Sequence, residues 1–163
     1  MTNFGIDTLK QGTASWGIEL SSGQLAQFQH YAELIHEWNQ RTNLTSVEPP
    51  EFGTRHFLDS VSILTLPEFA EVRTLVDVGS GAGLPGLAIK IAKPHLEIVL
   101  IESQTKRVAF LKRAIMELGL AGVAVQHGRV ERICQSATTL SARFDCAVAR
   151  AVASLAELHA WAA

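Results

Sequence analysis

The sequence predicts a doubly wound α/β fold. Two observations carry that expectation: four short apolar runs alternate with helical segments, and the first run ends in a glycine-dense loop. The runs are "RTLVDVG", "LEIVLIE", "GVAVQH" and "FDCAVAR", each reading as a strand buried on both faces of a parallel sheet. Right-handed crossovers then give a Rossmann-like sheet, with a helical extension before it.

The elements follow in order. Residues 1–20 have weak periodicity and several Gly, Ser and Thr, and are expected to be mobile or only partly helical. From Ser21 or Ser22, either of which can cap a helix, Leu25, Phe28, Tyr31, Leu34, Ile35 and Trp38 make one apolar face that ends between Asn39 and Thr45. A second helix is expected from near Pro50 through Phe57, Val61 and Leu64, stopped by Pro67. Leu87–Ala92 follows the glycine loop. Lys106–Leu118 presents Val108, Leu111, Ile115 and Leu118 on one side and is closed by Gly119. The division is thus a helical part, 1–66, and a sheet domain, 67–163. The chain stops in "SLAELHAWAA", a helix after the fourth strand, so a sheet incomplete at its C-terminal side is expected.

Composition narrows the function classes. An apolar share of 47% with 18% charged residues is that of a globular protein rather than a disordered one. No apolar run spans a bilayer and the N-terminus lacks secretory features, which points to a cytoplasmic protein without membrane partners. Cys134 and Cys146 lack metal or redox spacing and read as unpaired thiols. The six histidines form no metal-ligand pair. Residues 1–102 carry twelve acids against six bases, and residues 103–163 eight bases against four acids, so a polyanion would meet the second half.

The loop "VDVGSGAGLPG" (76–86) can be read in two registers. From Gly81 it spells the dinucleotide pattern G-x-G-x-x-G; from Asp77 it spells D-x-G-x-G-x-G. Ending the strand at Val78 makes Gly79 the first glycine, and the dinucleotide pattern then fails at Leu84. The second register suits a cationic cofactor without phosphates, such as S-adenosylmethionine. Asp77 would orient the loop or, through water, the ammonium group. Glu102, closing the second strand 23 residues after Gly79, is placed to accept both ribose hydroxyls. Val130 and Glu131, in "QHGRVER", would flank an adenine, although Glu131 equally suits a helix N-terminus. "NQRTNLTSV" and "TRHFLDS" are too polar for simple core helices, and Arg55 or His56 could pair with Asp59 one turn on. A structural junction and a functional role are equally open for them on spacing alone. No G-x-S-x-G elbow or P-loop is present.

Together, "WNQRTNLTSV" (38–47), "RHFLDS" (55–60), "LVDVGSGAGLPGLAI" (75–89), "ESQTKRVAFLK" (102–112), "GRVE" (128–131) and "VARA" (148–151) resemble the glucose-inhibited division protein B family, the ribosomal RNA small subunit methyltransferase G enzymes. The resemblance implies a Rossmann-like S-adenosylmethionine-dependent methyltransferase sheet. It also implies N7 methylation of one guanosine in 16S ribosomal RNA of the small ribosomal subunit. It places Gly79, Gly81, Leu84, Val130, Glu131 and Arg150 at the cofactor, Glu102 at its ribose, and Asn43, His56, Asp59 and Arg150 near the methyl-transfer cleft. RNA would meet Lys106, Arg107, Lys112, Arg113, Arg129, Arg132 and Arg143. No metal is implied, and a monomer is the default expectation. The family's chain continues some tens of residues further. Rival readings are an S-adenosylmethionine enzyme of another substrate, an NAD(P)-dependent oxidoreductase, and a non-catalytic cofactor-binding remnant.

Overall fold

The computed structural model describes residues 1–136, 143–150 and 154–162. Four strands, β1 (Thr74–Val78), β2 (Glu97–Glu102), β3 (Val123–His127) and β4 (Cys146–Ala149), form one parallel sheet in the order β3-β2-β1-β4. All four apolar runs are strands, as expected. In register, Asp77 of β1 lies opposite Leu100 of β2 and Val148 of β4. Burial on both faces holds for β1, and β2 keeps only Glu97 exposed. β3 and β4 are mostly exposed or half-buried, because among the described residues each has a paired neighbour on one side only.

Among the described residues there are seven α-helices: α1 (Ile6–Ser15), α2 (Ser22–Asn39), α3 (Asp59–Val61), α4 (Gly86–Ala92), α5 (Thr105–Glu117), α6 (Val130–Ser136) and α7 (Leu155–Ala162). Ser21 caps α2 in a reciprocal capping box with Gln24. The amide of the same Gln24 donates to the carbonyls of Ile91 and Ala92, so one side chain closes the start of α2 and the end of α4. Buried Lys90 also satisfies chain carbonyls beyond α4, at Pro94 and Leu96, which explains a lysine inside an otherwise apolar helix.

The first twenty residues hold more order than their periodicity implies. α1 buries Leu9 and Thr13 and packs against residues 52–58. The joint is a pair of glycines. Gly5 takes a positive φ of 69° ahead of α1, and the Gly53 amide donates to the Phe4 carbonyl at 2.9 Å. A Cβ on Gly53 would enter contact distance of the Gly5 carbonyl, where backbone cannot give way. Gly53→Ala is therefore expected to destabilise the fold by about 2 kcal/mol or more through steric overlap alone. A denaturant midpoint equal to the parent's would contradict that packing.

The expected single helix from Pro50 to Leu64 is a broken one. A 3-10 turn (Pro49–Glu51) passes into a π-helical segment (Phe52–Leu58), then α3, then a second 3-10 turn (Ser62–Thr65). Pro67 ends it, as expected, but starts a further 3-10 turn, because proline suits a first helical position. The wider π turn brings Phe57 against Phe28 and Tyr31 of α2 at ring separations of 5.0 and 5.4 Å. These rings join Leu75, Leu87, Ile89 and Leu100 in one core shared by residues on both sides of position 66. Cys146 is a free, half-buried thiol, and the side chain of Cys134 lies outside the described residues. Among the described residues no helix is long and apolar enough to cross a membrane, and no cluster could hold a metal ion.

Candidate functional site

β1 and β4 are neighbours although β2 and β3 extend the sheet from the other side of β1, so the strand order reverses between them. Ligands of open α/β sheets bind at the carboxyl ends of strands at such a point. Here the glycine loop leaves the end of β1 and Arg150 immediately follows the end of β4.

The loop's register is the one starting at Gly79. β1 ends at Val78, and Gly79, Gly81 and Gly83 have φ of 70°, 57° and 87°, a region open to glycine at little cost. The Gly79 and Ser80 amides donate to the Ile101 carbonyl, which ties the loop to β2. Asp77 is fully buried and its Oδ2 accepts the Gly86 N–H at 2.9 Å, at the start of α4. Burial pushes its carboxyl up to about 7, against the opposing pull of the Gly86 N–H and the Arg150 charge. Asp77 thus orients the loop from behind. Glycine at position 86 is needed too, since a Cβ would lie 2.7 Å from Asp77 Oδ2 and 2.6 Å from Leu100 Cδ2. From the N-terminal side, Tyr31 in α2 donates its buried hydroxyl to the Ala82 carbonyl at 2.6 Å. Burial raises the phenol well above its ordinary value, so it stays a donor.

Two clefts meet over this loop, sharing Gly79 and Ser103. One, of about 420 Å³, is lined by Leu44, Thr45, His56, Glu102, Arg107 and Arg150 beside the loop residues Gly79–Ala82 and Leu84. The other, of about 270 Å³, is lined by Val78, Ile101, Gly128–Glu131 and Trp161. Glu102 is buried in the wall of the larger cleft. Its Oε2 accepts the Gly81 N–H at 2.7 Å and its Oε1 the Gln104 N–H at 2.9 Å. A carboxylate has about four lone-pair sites, so capacity remains for two hydroxyls. Val130 is buried and Glu131 exposed at the start of α6, beside the smaller cleft.

Arg150 joins the N-terminal helices to the sheet. Its Nη1 lies 3.3 Å from Asp59 Oδ2 and 3.3 Å from the Arg55 carbonyl, and its Nη2 lies 3.0 Å from His56 Nδ1. The expected local pairing of Arg55 or His56 with Asp59 is replaced: Arg55 pairs with Glu51 at 3.3 Å, and Asp59 with Arg150 from 91 positions away. His56, in the π-helical segment, and Asp59, which follows it, both meet Arg150. Desolvation, with the Arg150 charge beside it, lowers His56 to about 4. The imidazole is neutral near pH 7.

The structure therefore gathers His56, Asp59 and Arg150 with Gly79, Gly81, Leu84 and Glu102, and sets Val130 and Glu131 at the adjoining cleft. Asn43 stands apart. It is exposed, and its carbonyl accepts from Arg107 Nη2 at 3.1 Å. Its neighbour Thr45 lines the cleft and meets His56 Nε2 at 2.8 Å. Sequence reading passed over Thr45 as a site residue, although it stands in "NQRTNLTSV". It set Arg107 at the RNA rather than in the cleft. Nothing local marks Trp161. Of the remaining basic residues, Lys106, Lys112, Arg129, Arg132 and Arg143 are exposed, and Arg113 pairs with Glu117.

The chain is 44% identical over 146 residues to the ribosomal RNA small subunit methyltransferase G of Exiguobacterium sibiricum, covering 89% of this chain and 61% of that protein. It is 46% identical over 140 residues to the protein of that name from Geobacillus kaustophilus, covering 85% and 58%. For that of Thermoanaerobacter sp. the figures are 40% over 156 residues, 95% and 65%. The chain thus spans less than two thirds of the length of these relatives. Residues 24–163 match the family described as rRNA small subunit methyltransferase G, and the chain belongs to that GidB family.

Proposed function

We propose that the protein transfers a methyl group from S-adenosylmethionine to N7 of one guanosine in 16S ribosomal RNA of the small subunit, in the cytoplasm and without a metal. The observation that carries this reading is the Arg150–His56–Asp59 cluster, of which Arg150 and His56 line the cleft holding Glu102 and the glycine loop. The family and the name borne by the relatives supply the substrate class.

The residues present suit the cofactor. A Cβ at Gly81 would meet nothing within 4 Å, so the loop backbone is bare where a ligand would lie against it. Glu102 would hold the ribose, Val130 and the 128–131 backbone the adenine, and Gly79 and Gly81 the amino-acid end. When bound, the cofactor supplies an electrophilic methyl on a sulfonium.

Guanine N7 carries a free lone pair and need not lose a proton before attack. The site's inventory matches that economy. His56 Nδ1 is taken by Arg150 and its Nε2 by Thr45, leaving no imidazole lone pair free to act as a base. Rate would come from alignment and from the fixed charges of Arg150 and Asp59. The exposed Lys106, Lys112, Arg129, Arg132 and Arg143 would meet phosphates.

Two measurements test the reading. S-adenosylhomocysteine should raise the melting temperature, because a ligand specific for the native state stabilises it. Small-subunit RNA from cells lacking the gene should lose one 7-methylguanosine by mass spectrometry. An unchanged modification profile would refute the assigned substrate, and an unchanged melting temperature the cofactor.

A further inference from the structure

The hydrogen bonds around Thr45 have a fixed direction. A guanidinium carries donors only, so the 3.0 Å approach of Arg150 Nη2 to His56 Nδ1 requires a lone pair on Nδ1. A neutral imidazole then keeps its one proton on Nε2, which donates to Thr45 Oγ1 at 2.8 Å. The lowering of His56 to about 4 agrees with the neutral ring. Thr45 Oγ1 also accepts the Val47 N–H at 3.0 Å. A hydroxyl has two lone pairs and one proton, and both lone pairs are now occupied. Only the proton is left to give.

The backbone holds that hydroxyl still. Asn39 Oδ1 accepts the amides of Leu44 and Thr45, and its Nδ2 donates to the Thr45 carbonyl at 2.9 Å. Thr45 lines the 420 Å³ cleft together with Arg107 and Arg150, which also carry only donors. Glu102, the acceptor-only side chain of the same cleft, is held by the Gly81 and Gln104 amides. The cleft thus holds donors suited to an anionic group and a carboxylate suited to hydroxyls.

We propose that the Thr45 hydroxyl donates to the carboxylate at the amino-acid end of S-adenosylmethionine and of its product, and so sets how far the cofactor reaches toward Arg150. The proposal rests on the cofactor reading above. Thr45 is a binding residue, and no proton passes through it.

Calorimetry with S-adenosylhomocysteine and its decarboxylated analogue, on the parent, Thr45→Val and Thr45→Ser, decides it. Thr45→Val is expected to weaken S-adenosylhomocysteine binding about tenfold or more, as loss of a hydrogen bond to a charged acceptor does, and to leave the decarboxylated analogue unaffected. Thr45→Ser keeps the hydroxyl and should bind both as the parent does. Equal losses on both ligands would mean that Thr45 acts only by seating His56, and no loss would mean no contact; either overturns the proposal. A parent that binds neither ligand overturns the cofactor reading and this inference with it. Should Thr45→Val fail to fold, proton NMR of the parent gives the same decision. The Thr45 hydroxyl proton should exchange slowly in the S-adenosylhomocysteine complex and rapidly in the decarboxylated one, and rapid exchange in both overturns the contact.

Discussion

Arg150→Ala is expected to lower methyl transfer to small subunits by about a hundredfold or more, the scale seen when a charged or donor group aimed at a reacting centre is removed. The fold should lose little. The Arg150–Asp59 pair is surface-exposed on the Asp59 side, and such pairs contribute about 0–1 kcal/mol. A second consequence separates electrostatics from packing. The Arg150 charge is one of the forces holding His56 near 4, so its removal should move the imidazole upward. Burial persists in the variant and should still keep it below the ordinary value. A His56 with a depressed value contributes stability that is present above the unfolded value near 6.5 and lost as pH falls toward 4. In Arg150→Ala that loss should be confined to a narrower span below 6.5. NMR titration of His56 reads the shift, and a methylation assay reads the rate. Transfer at the parent's level by the variant would remove Arg150 from the reaction.

Glu102→Gln should abolish most cofactor affinity, by about a hundredfold. The parent carboxylate accepts from both Gly81 and Gln104, and a glutamine side chain presents one oxygen and one amide donor to the same two N–H groups. One backbone amide then faces another donor, and the acceptors for the ribose are reduced as well. Each charge-assisted bond lost contributes about 1.5–3 kcal/mol, so two losses reach or exceed the stated factor. Calorimetry with S-adenosylhomocysteine measures it, with a thermal midpoint recorded alongside to separate binding from stability. Affinity within about threefold of the parent would deny Glu102 its role at the ribose.

How much of this was legible depends on the distance over which each residue is constrained. The end of β1 at Val78, the loop starting at Gly79 and Glu102 closing β2 are local consequences of apolar runs meeting glycine or an acid, and the sequence displays them. The break of residues 49–65 into 3-10 and π turns is not local. It follows from packing Phe57 between α2 rings and bringing Gly53 onto Gly5, neither of which leaves a period in the sequence. The partner of Asp59 was misread for the same reason: a helical spacing suggested Arg55 or His56, and the sheet supplied Arg150. Thr45 was hidden differently, because its role lies in which lone pairs are occupied rather than in its type.

The hydroxyl of Tyr31 reaches Ala82 from behind the glycine loop, while Asp77 holds the loop's far end at Gly86. The loop is consequently ordered when the chain folds, not when a ligand arrives. Association therefore carries little entropic penalty from that segment, and preorganisation of this kind acts on affinity without adding a single contact. The helices before the sheet are in that sense part of the receptor, although only Leu44, Thr45 and His56 from that part of the chain border the cleft.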